Sequence, residues 1–330
     1  MPSIPADPQP GHRLRLDNIL RAATLIDPVF RNTPQFDCEP LGAVLGCSLT
    51  LKLETANPIR SFKGRGAGYL VASRAADGRL GGRRIIGASA GNWGQALAYA
   101  CRAHGIALTL FAAETANPLK VARMRDLGAE VILTGHDFDA AKQAGEAHAG
   151  TSGGLWVADG LDPEAAEGAA TIAVELLEGP AKPEVLAVPL GNGALLTGIA
   201  RWAKAVDPAI RVIGVQARGA DAMEKSWRTG RLVFPPAVAT IADGIGVRVP
   251  IAEAVEDMRD IVDEVVLVSD ADIIAAMRLL FRTAGLLAEP SGAAGLAAIA
   301  AHPEHFSGRR VATVICGSNL TDAQIREWVS

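Results

Sequence analysis

Residues 83–111 read RRIIGASAGNWGQALAYACRAHGIALTLF, and this stretch decides the fold. RRIIGAS is a short apolar run that closes on small residues, NWGQALAYACRAHG carries apolar side chains at helical spacing, and ALTLF is a second apolar run. A strand, a tight turn, an amphipathic helix and another strand form one unit of a parallel sheet covered on both faces. The unit recurs along the chain. ALTLF (107–111) leads into NPLKVARMRDLG, EVILTG (130–135) into DFDAAKQAGEAHAG, and LWVAD (155–159) into DPEAAEGAATIAVELLEG. Further on, EVLAVPLG (184–191) precedes ALLTGIARWAKAV, RVIGVQA (211–217) follows, EVVLVSD (264–270) precedes ADIIAAMRLLFRTAG, and RRVATVICG (309–317) comes last. The spacing predicts an α/β protein. Helix punctuation agrees: Asp17 is a candidate N-cap for a helix to Leu25, Asp162 caps a helix opening on Pro163, and Gly128 stops one.

At 330 residues the chain can bury two modest domains. Loops rich in Gly and Ser around Gly81–Arg84 and Thr151–Gly154 predict a small inserted α/β domain over 84–154, within a larger domain built from 1–83 and 155–330. The formal charge of −4 is spread without a basic block, which points away from nucleic acid and acidic membrane surfaces. Cys38, Cys47, Cys101 and Cys316 are far apart and none has CxxC spacing, so neither a zinc cluster nor a disulfide framework is expected. The N-terminus has no apolar signal core, and no window reaches the roughly 18 apolar residues of a membrane span. A cytoplasmic enzyme is the expectation.

Four segments sit where a strand gives way to a turn or helix, the usual place for ligands in open α/β sheets. The first is LKLETANPIRSFKGRGA (51–67). Lys63 is one of only seven lysines against 25 arginines and lies between Phe62 and Gly64. Such flanks can desolvate its amine and favour the neutral, nucleophilic form that an imine needs; a solvated lysine at a helix start is the plain alternative. The second, GASAGNWGQALA (87–98), presents small residues and a helix start that could receive a carboxylate or phosphate, or could be a simple strand-to-helix turn. In the third, VPLGNGALLTGIA (188–200), Gly-Asn-Gly-Ala after a strand suits a phosphate cradle but lacks the Lys-Ser/Thr ending of a nucleotide-binding loop. The fourth, VATVICGSNLT (311–321) with AEPSGAAG (288–295) upstream, places Cys316 and Ser318 where they could meet a heterocycle, or be plain buried groups.

Together, LKLE with SFKGRGA, ASAGN, the glycine loop after VP, IADGIGV (241–247), AEPSGAAG and the closing CGSN resemble the fold-type II pyridoxal-phosphate enzymes. The likeness is to the threonine dehydratase and serine racemase branch, in order from about Asn32 to Asn319. The resemblance implies a tryptophan synthase β-like fold of two doubly wound open-sheet domains with the cofactor in the cleft between them, and a homodimer. It implies pyridoxal 5'-phosphate held as a Schiff base on Lys63, which also removes the α-proton. It further implies Phe62 beside the cofactor, Asn92 on its 3'-oxygen, and the amides of Ser89, Ala90, Gly91 and Asn92 on the substrate carboxylate. Gly191, Asn192, Gly193, Ala194 and Leu195 would cradle the phosphate, and Cys316 would face the pyridine nitrogen. An aspartate there would keep that nitrogen protonated; a neutral thiol does not, which suits prompt loss of a β-substituent better than transamination. The cofactor's phosphate is then the expected proton donor to the departing oxygen.

The expected activity is therefore α,β-elimination from L-threonine, L-serine or a related β-hydroxy amino acid, giving a 2-oxo acid and ammonia. β-Replacement of the cysteine-synthase or threonine-synthase kind, or a non-catalytic pyridoxal-phosphate carrier, are the alternatives. Departures qualify the likeness. Ala90 stands where serine racemases carry a catalytic serine, which disfavours racemisation, and Trp93 stands where histidine is frequent. RVIGVQARGADA has Gln216 and Ala222 where the family's cation ligands are acidic, so no metal is expected there. One short helix follows the CGSN strand to Ser330, so the feedback domain of biosynthetic threonine dehydratases is not expected.

Overall fold

The computed structural model describes residues 4–179 and 182–330. In chain order the elements are α1 (Leu16–Leu25), β1 (Gln35–Asp37), α2 (Glu39–Leu45), β2 (Ser48–Leu53), α3 (Lys63–Ala76), β3 (Ile85–Ala88), α4 (Asn92–Ala103) and β4 (Leu108–Ala112). Next come α5 (Pro118–Asp126), β5 (Glu130–Leu133), α6 (Phe138–Ser152), β6 (Leu155–Val157), α7 (Pro163–Leu176), β7 (Val185–Pro189), α8 (Ala194–Val206) and β8 (Arg211–Ala217). The chain closes with α9 (Ala222–Thr229), α10 (Ala252–Asp257), β9 (Glu264–Val268), α11 (Asp270–Ala284), α12 (Pro290–Ala301), α13 (Pro303–Phe306), β10 (Arg310–Ile315) and α14 (Asp322–Trp328).

The strands form two sheets, one ordered β1-β2-β10-β7-β8-β9 and the other β5-β4-β3-β6. Every pairing is parallel except the antiparallel edge pair β1–β2. Period-two alternation sorts the apolar side chains to opposite faces. Leu186, Val188, Val212, Ala312 and Val314 pack with α7 and α8. Their neighbours Val185, Ala187, Ile213, Val215, Val311 and Ile315 pack with α11 and α12. The smaller sheet does the same, with Ile85, Leu108 and Leu110 facing α3 and α4, and Ile86, Ala88 and Phe111 facing α6.

The four-stranded sheet draws its strands from Ile85 to Val157, so its last strand lies just past the expected boundary at 154. Leu155–Val157 pairs with β3 and forms the edge of the four-stranded sheet. The Gly153–Gly154 turn resembles a boundary because three residues are too few to show a strand pattern. Two caps also differ. Asp17 lies inside the first turn of α1, whose N-cap is Arg15, and its carboxylate pairs with that arginine at 3.0 Å. Asp162 does occupy the N-cap of α7, but its side chain accepts from the Ala158 amide at 2.7 Å and pairs with Arg74 at 2.5 Å rather than capping the helix.

The helix that Lys63 begins is clamped from two directions. Backbone meets backbone where α3 crosses α7: a Cβ on Gly66 would lie 2.5 Å from the Ala165 carbonyl oxygen, and one on Gly168 would lie 2.6 Å from that of Arg65. Arg65, fully buried, donates through Nε to Glu54 at 2.8 Å and through Nη1 to Glu175 at 2.6 Å. Lys52 completes the cluster, its Nζ 2.6 Å from Glu175. Burial raises the Glu175 carboxyl, but the hydrogen bond and charge of Arg65, with Lys52, outweigh it and hold the group at about 2. Two cations and two carboxylates thus tie β2, α3 and α7 together, and deleting one partner of such a buried set typically costs about 3–5 kcal/mol.

Gly168→Ala is expected to destabilise the protein by about 1–3 kcal/mol, because neither backbone can yield without parting the helices. Gly150→Ala, in α6 with nothing within 4 Å of the added carbon, serves as the control and is expected to be neutral or stabilising. Urea unfolding of the two variants checks the contrast.

Candidate active site

The strands point their C-terminal ends at one cavity of about 450 Å³, within the range of about 300–1,000 Å³ usual for small-molecule sites. Every site residue named from the sequence lines it, from Phe62 and Lys63 through Ser89–Asn92 and Gly191–Leu195 to Cys316.

Lys63 owes its place to a stitched loop. Asn57 Oδ1 accepts from the amides of Ile59 (3.2 Å) and Ser61 (3.3 Å), and its Nδ2 donates to the Glu54 carbonyl at 2.8 Å. The Phe62 amide donates to the Cys316 carbonyl at 3.0 Å, so the residue before Lys63 is bonded to the end of β10. The amine is largely buried but not unaccompanied, as the flanking Phe62 and Gly64 alone would leave it. Its Nζ lies 2.6 Å from Oδ2 of Asp159, with the Phe62 ring centroid 4.6 Å away and that of Trp93 6.0 Å away. A carboxylate from just beyond β6 supplies the partner that the local sequence around Lys63 could not show.

At the end of β3 the arrangement corrects one expectation. The Ser89 amide is engaged by the Phe111 carbonyl at 3.0 Å, continuing the sheet by one residue. Its hydroxyl accepts from the Gly91 and Gly94 amides at 3.2 and 2.9 Å and so caps α4. Of the four amides expected to bind a carboxylate, those of Ala90 and Asn92 are the two left without a partner among the described residues. Asn92 itself is held on both sides: Asn319 Nδ2 donates to its Oδ1 at 2.8 Å, and its Nδ2 donates to Glu289 at 2.7 Å. One Nδ2 hydrogen remains for a ligand.

The glycine loop between β7 and α8 forms the opposite wall. Gly193 takes φ +101°, which a residue with a Cβ rarely adopts, and a Cβ on Gly191 would lie 2.9 Å from the Gly244 carbonyl. No side chain caps α8, whose first amides therefore open on the cavity, a ready anion site. Cys316, at the end of β10, is buried, and its Sγ donates to the Ser291 carbonyl at 3.6 Å. Burial, with Glu289 nearby, pushes its thiol up, so it stays neutral. Gln216, in the expected position of a lost cation ligand, instead accepts from the Glu224 amide at 2.9 Å. Among the described residues no three His, Cys, Asp or Glu side chains gather.

The sequence reading did not single out Asp159, Glu289, Ser291 and Asn319. Asp159 was within reach of the strand-end rule, since LWVAD closes on it; the others depend on long-range contacts. Across the mouth, Lys120 pairs with Asp243 at 2.5 Å, and Arg248 pairs with Asp139.

The chain belongs to the pyridoxal-phosphate-dependent enzyme family, whose description matches residues 26–317. An L-threonine ammonia-lyase of Thermotoga maritima is 34% identical over 93% of this chain and 76% of its own length. A phenylserine dehydratase of Ralstonia pickettii is also 34% identical, over 89% of each chain. Among solved structures, the processed form of threonine deaminase isoform 2 from Solanum lycopersicum superposes with a TM-score of 0.85 at 27% identity, covering 94% of this chain and 92% of that one. Maize serine racemase gives 0.87 at 26%, covering 94% and 95%. The fold is that of the fold-type II enzymes, and the cofactor is pyridoxal phosphate.

The residues fit that cofactor. Three buried polar atoms of residues that line the cavity lack partners among the described residues: Asp159 Oδ1, Trp93 Nε1 and Ser291 Oγ. Buried polar atoms without partners are costly, so the site is built for a polar ligand. An amine for the aldehyde and uncapped helix amides for a phosphate complete the match.

Glu289 makes the protein sensitive to pH. Burial, then Asp243, raises its carboxyl from the ordinary 4.5 to about 7. The native state thus holds a proton that the unfolded chain has released, so this contribution to stability is full at acid pH and is lost as pH rises from about 4.5 to about 7. The loss is on the order of 3 kcal/mol, at about 1.4 kcal/mol per pH unit. Glu289→Gln, isosteric and uncharged, is expected to abolish this slope, so that the variant gains on wild type between pH 5 and pH 8 in urea unfolding of the cofactor-free protein.

Proposed function

We propose that the protein is a pyridoxal-phosphate-dependent ammonia-lyase that eliminates water from L-threonine, L-serine or a related β-hydroxy amino acid, releasing a 2-oxo acid and ammonia. The observation that carries this reading is one cavity lined at once by the Lys63 amine, the open N-terminus of α8, the Ala90–Asn92 turn and a neutral thiol at Cys316. When bound, the cofactor withdraws electrons from the α-carbon of the amino acid.

Each wall has its part. Lys63 Nζ would hold the cofactor's aldehyde and, once freed by the substrate amine, take the α-proton. The Gly191–Leu195 amides would bind the phosphate. Asn92, fixed by Glu289 and Asn319, would turn its remaining N–H toward the 3'-oxygen. The amides of Ala90 and Asn92 would orient the substrate carboxylate, and Phe62 would pack against the ring. Cys316, neutral and already hydrogen-bonded, would leave the pyridine nitrogen without a proton, which favours early loss of the β-substituent. Trp93 adds an aromatic face to the wall, and the phenylserine dehydratase relative supports testing an aromatic β-hydroxy amino acid as substrate.

We place the enzyme in the cytoplasm as a homodimer. The first rests on four unpaired cysteines, the second on the family likeness. Equilibrium sedimentation of the holoenzyme tests the second.

Lys63→Ala is expected to lose the visible absorbance of the bound cofactor, and to lower ammonia release by at least the 10²- to 10⁴-fold that one acid–base group is typically worth, on the order of several kcal/mol. The decisive assay incubates wild type with L-threonine, L-serine and phenylserine, with and without an added thiol, and scores 2-oxo acid. A new thioether amino acid in place of oxo acid would assign β-replacement; a coloured protein that turns over none of them would be a carrier.

A further inference from the structure

The proton balance of dehydration leaves one role unfilled. Hydroxide is a poor leaving group, and the oxygen must gain a proton as the Cβ–O bond breaks. The ionisable groups around Lys63 differ sharply in their freedom to supply it. Cys316 is buried and engaged with Ser291, and Glu289 is fixed by Asn92 and by the Asn319 amide at 2.9 Å. Asp243 and Asp139 form the cross-mouth pairs, and Asp137 caps α6 through the Ala140 amide at 2.9 Å.

Asp159 is placed differently. It stands at the C-terminal end of the four-stranded sheet and lines the cavity. One carboxylate oxygen, Oδ2, meets Lys63 Nζ at 2.6 Å and Asn192 Nδ2 at 3.4 Å. The other, Oδ1, is buried with no partner among the described residues. The substrate's amine must displace Lys63 Nζ. A carboxylate one hydrogen bond from that nitrogen is therefore within reach of the groups on the substrate's α- and β-carbons.

We propose that Asp159 is the acid that protonates the departing β-hydroxyl, using the proton that Lys63 removes from the α-carbon. The inference rests on the dehydratase reading above and refines it. The Cα–H bond breaks toward Lys63 Nζ, and its electron pair forms the Cα–Cβ double bond as the Cβ–O bond breaks. The proton on Lys63 passes across the 2.6 Å contact to Asp159 and from there to the oxygen, which leaves as water. Lys63 and Asp159 end as they began, and no outside acid is consumed. The phosphate, bound by the amides of α8, is then an anchor rather than the proton source.

The test compares L-serine with β-chloro-L-alanine, whose chloride leaves without a proton. In Asp159→Asn, which keeps the shape and a hydrogen bond but carries no acidic proton, the ratio of β-chloroalanine to serine turnover is expected to rise at least about 100-fold, the low end of what a positioned acid contributes. Asp159→Glu should restore part of the serine rate. Cofactor loading, read from visible absorbance on titrating the cofactor-free variants, should match wild type. Equal losses on both substrates would make Asp159 a positioning residue for Lys63 and overturn the proposal, as would an unchanged serine rate. A wild type that consumes β-chloroalanine but no hydroxy amino acid would instead sink the dehydratase reading, and this inference with it.

Discussion

The site depends first on a buried charge cluster that takes no part in chemistry. Arg65, Glu54, Glu175 and Lys52 neutralise one another in the interior, and Arg65 lies two residues after Lys63. Desolvating four charges is expensive, and the gain in stability over an apolar packing is small or absent. The cluster contributes orientation. A guanidinium forked between two carboxylates, Glu54 just after β2 and Glu175 of α7, admits one rotation of α3, and that rotation aims Lys63 at the cavity. The same Glu175 also accepts from the Asn32 amide at 2.9 Å, so the entry to β1 is fixed by the same atoms.

The cavity is polar in a patterned way. Donors dominate the α8 end, where backbone amides emerge, and the Asp159 carboxylate meets the amine. Glu289 is held between two asparagines, whereas Asp159 meets Lys63 and Asn192 through one oxygen, so these two acids of the cavity are set apart by their partners. Such separation of roles by environment is how a single site carries out both proton removal and proton delivery.

Much of this was legible in the sequence. The alternating strands and helices were visible because parallel strands buried on both faces read as continuous apolar runs, as in Val185–Pro189. Asn92 and the Gly191–Leu195 loop drew notice because each follows a strand with small residues, and Lys63 because a rare lysine opens a helix between Phe62 and Gly64. What stayed hidden depends on contacts far along the chain. The Asp159 partner of Lys63 lies 96 residues away, and Glu289 and Asn319 approach Asn92 from positions 197 and 227 residues away. The Ser89 amide was misjudged because nothing in ASAGN tells whether the last strand residue still donates to its neighbour. The strand just past 154 was hidden for a related reason: a three-residue edge strand is defined by its partner β3, not by its own pattern.

The close crossing of α3 and α7 has a mechanical consequence. Where backbone rests on backbone at Gly66 and Gly168, no side chain can give way, and packed interiors switch between discrete arrangements rather than sliding. Any change of shape in this enzyme would therefore carry α3 and α7 together as one block, with the reactive nitrogen riding on it.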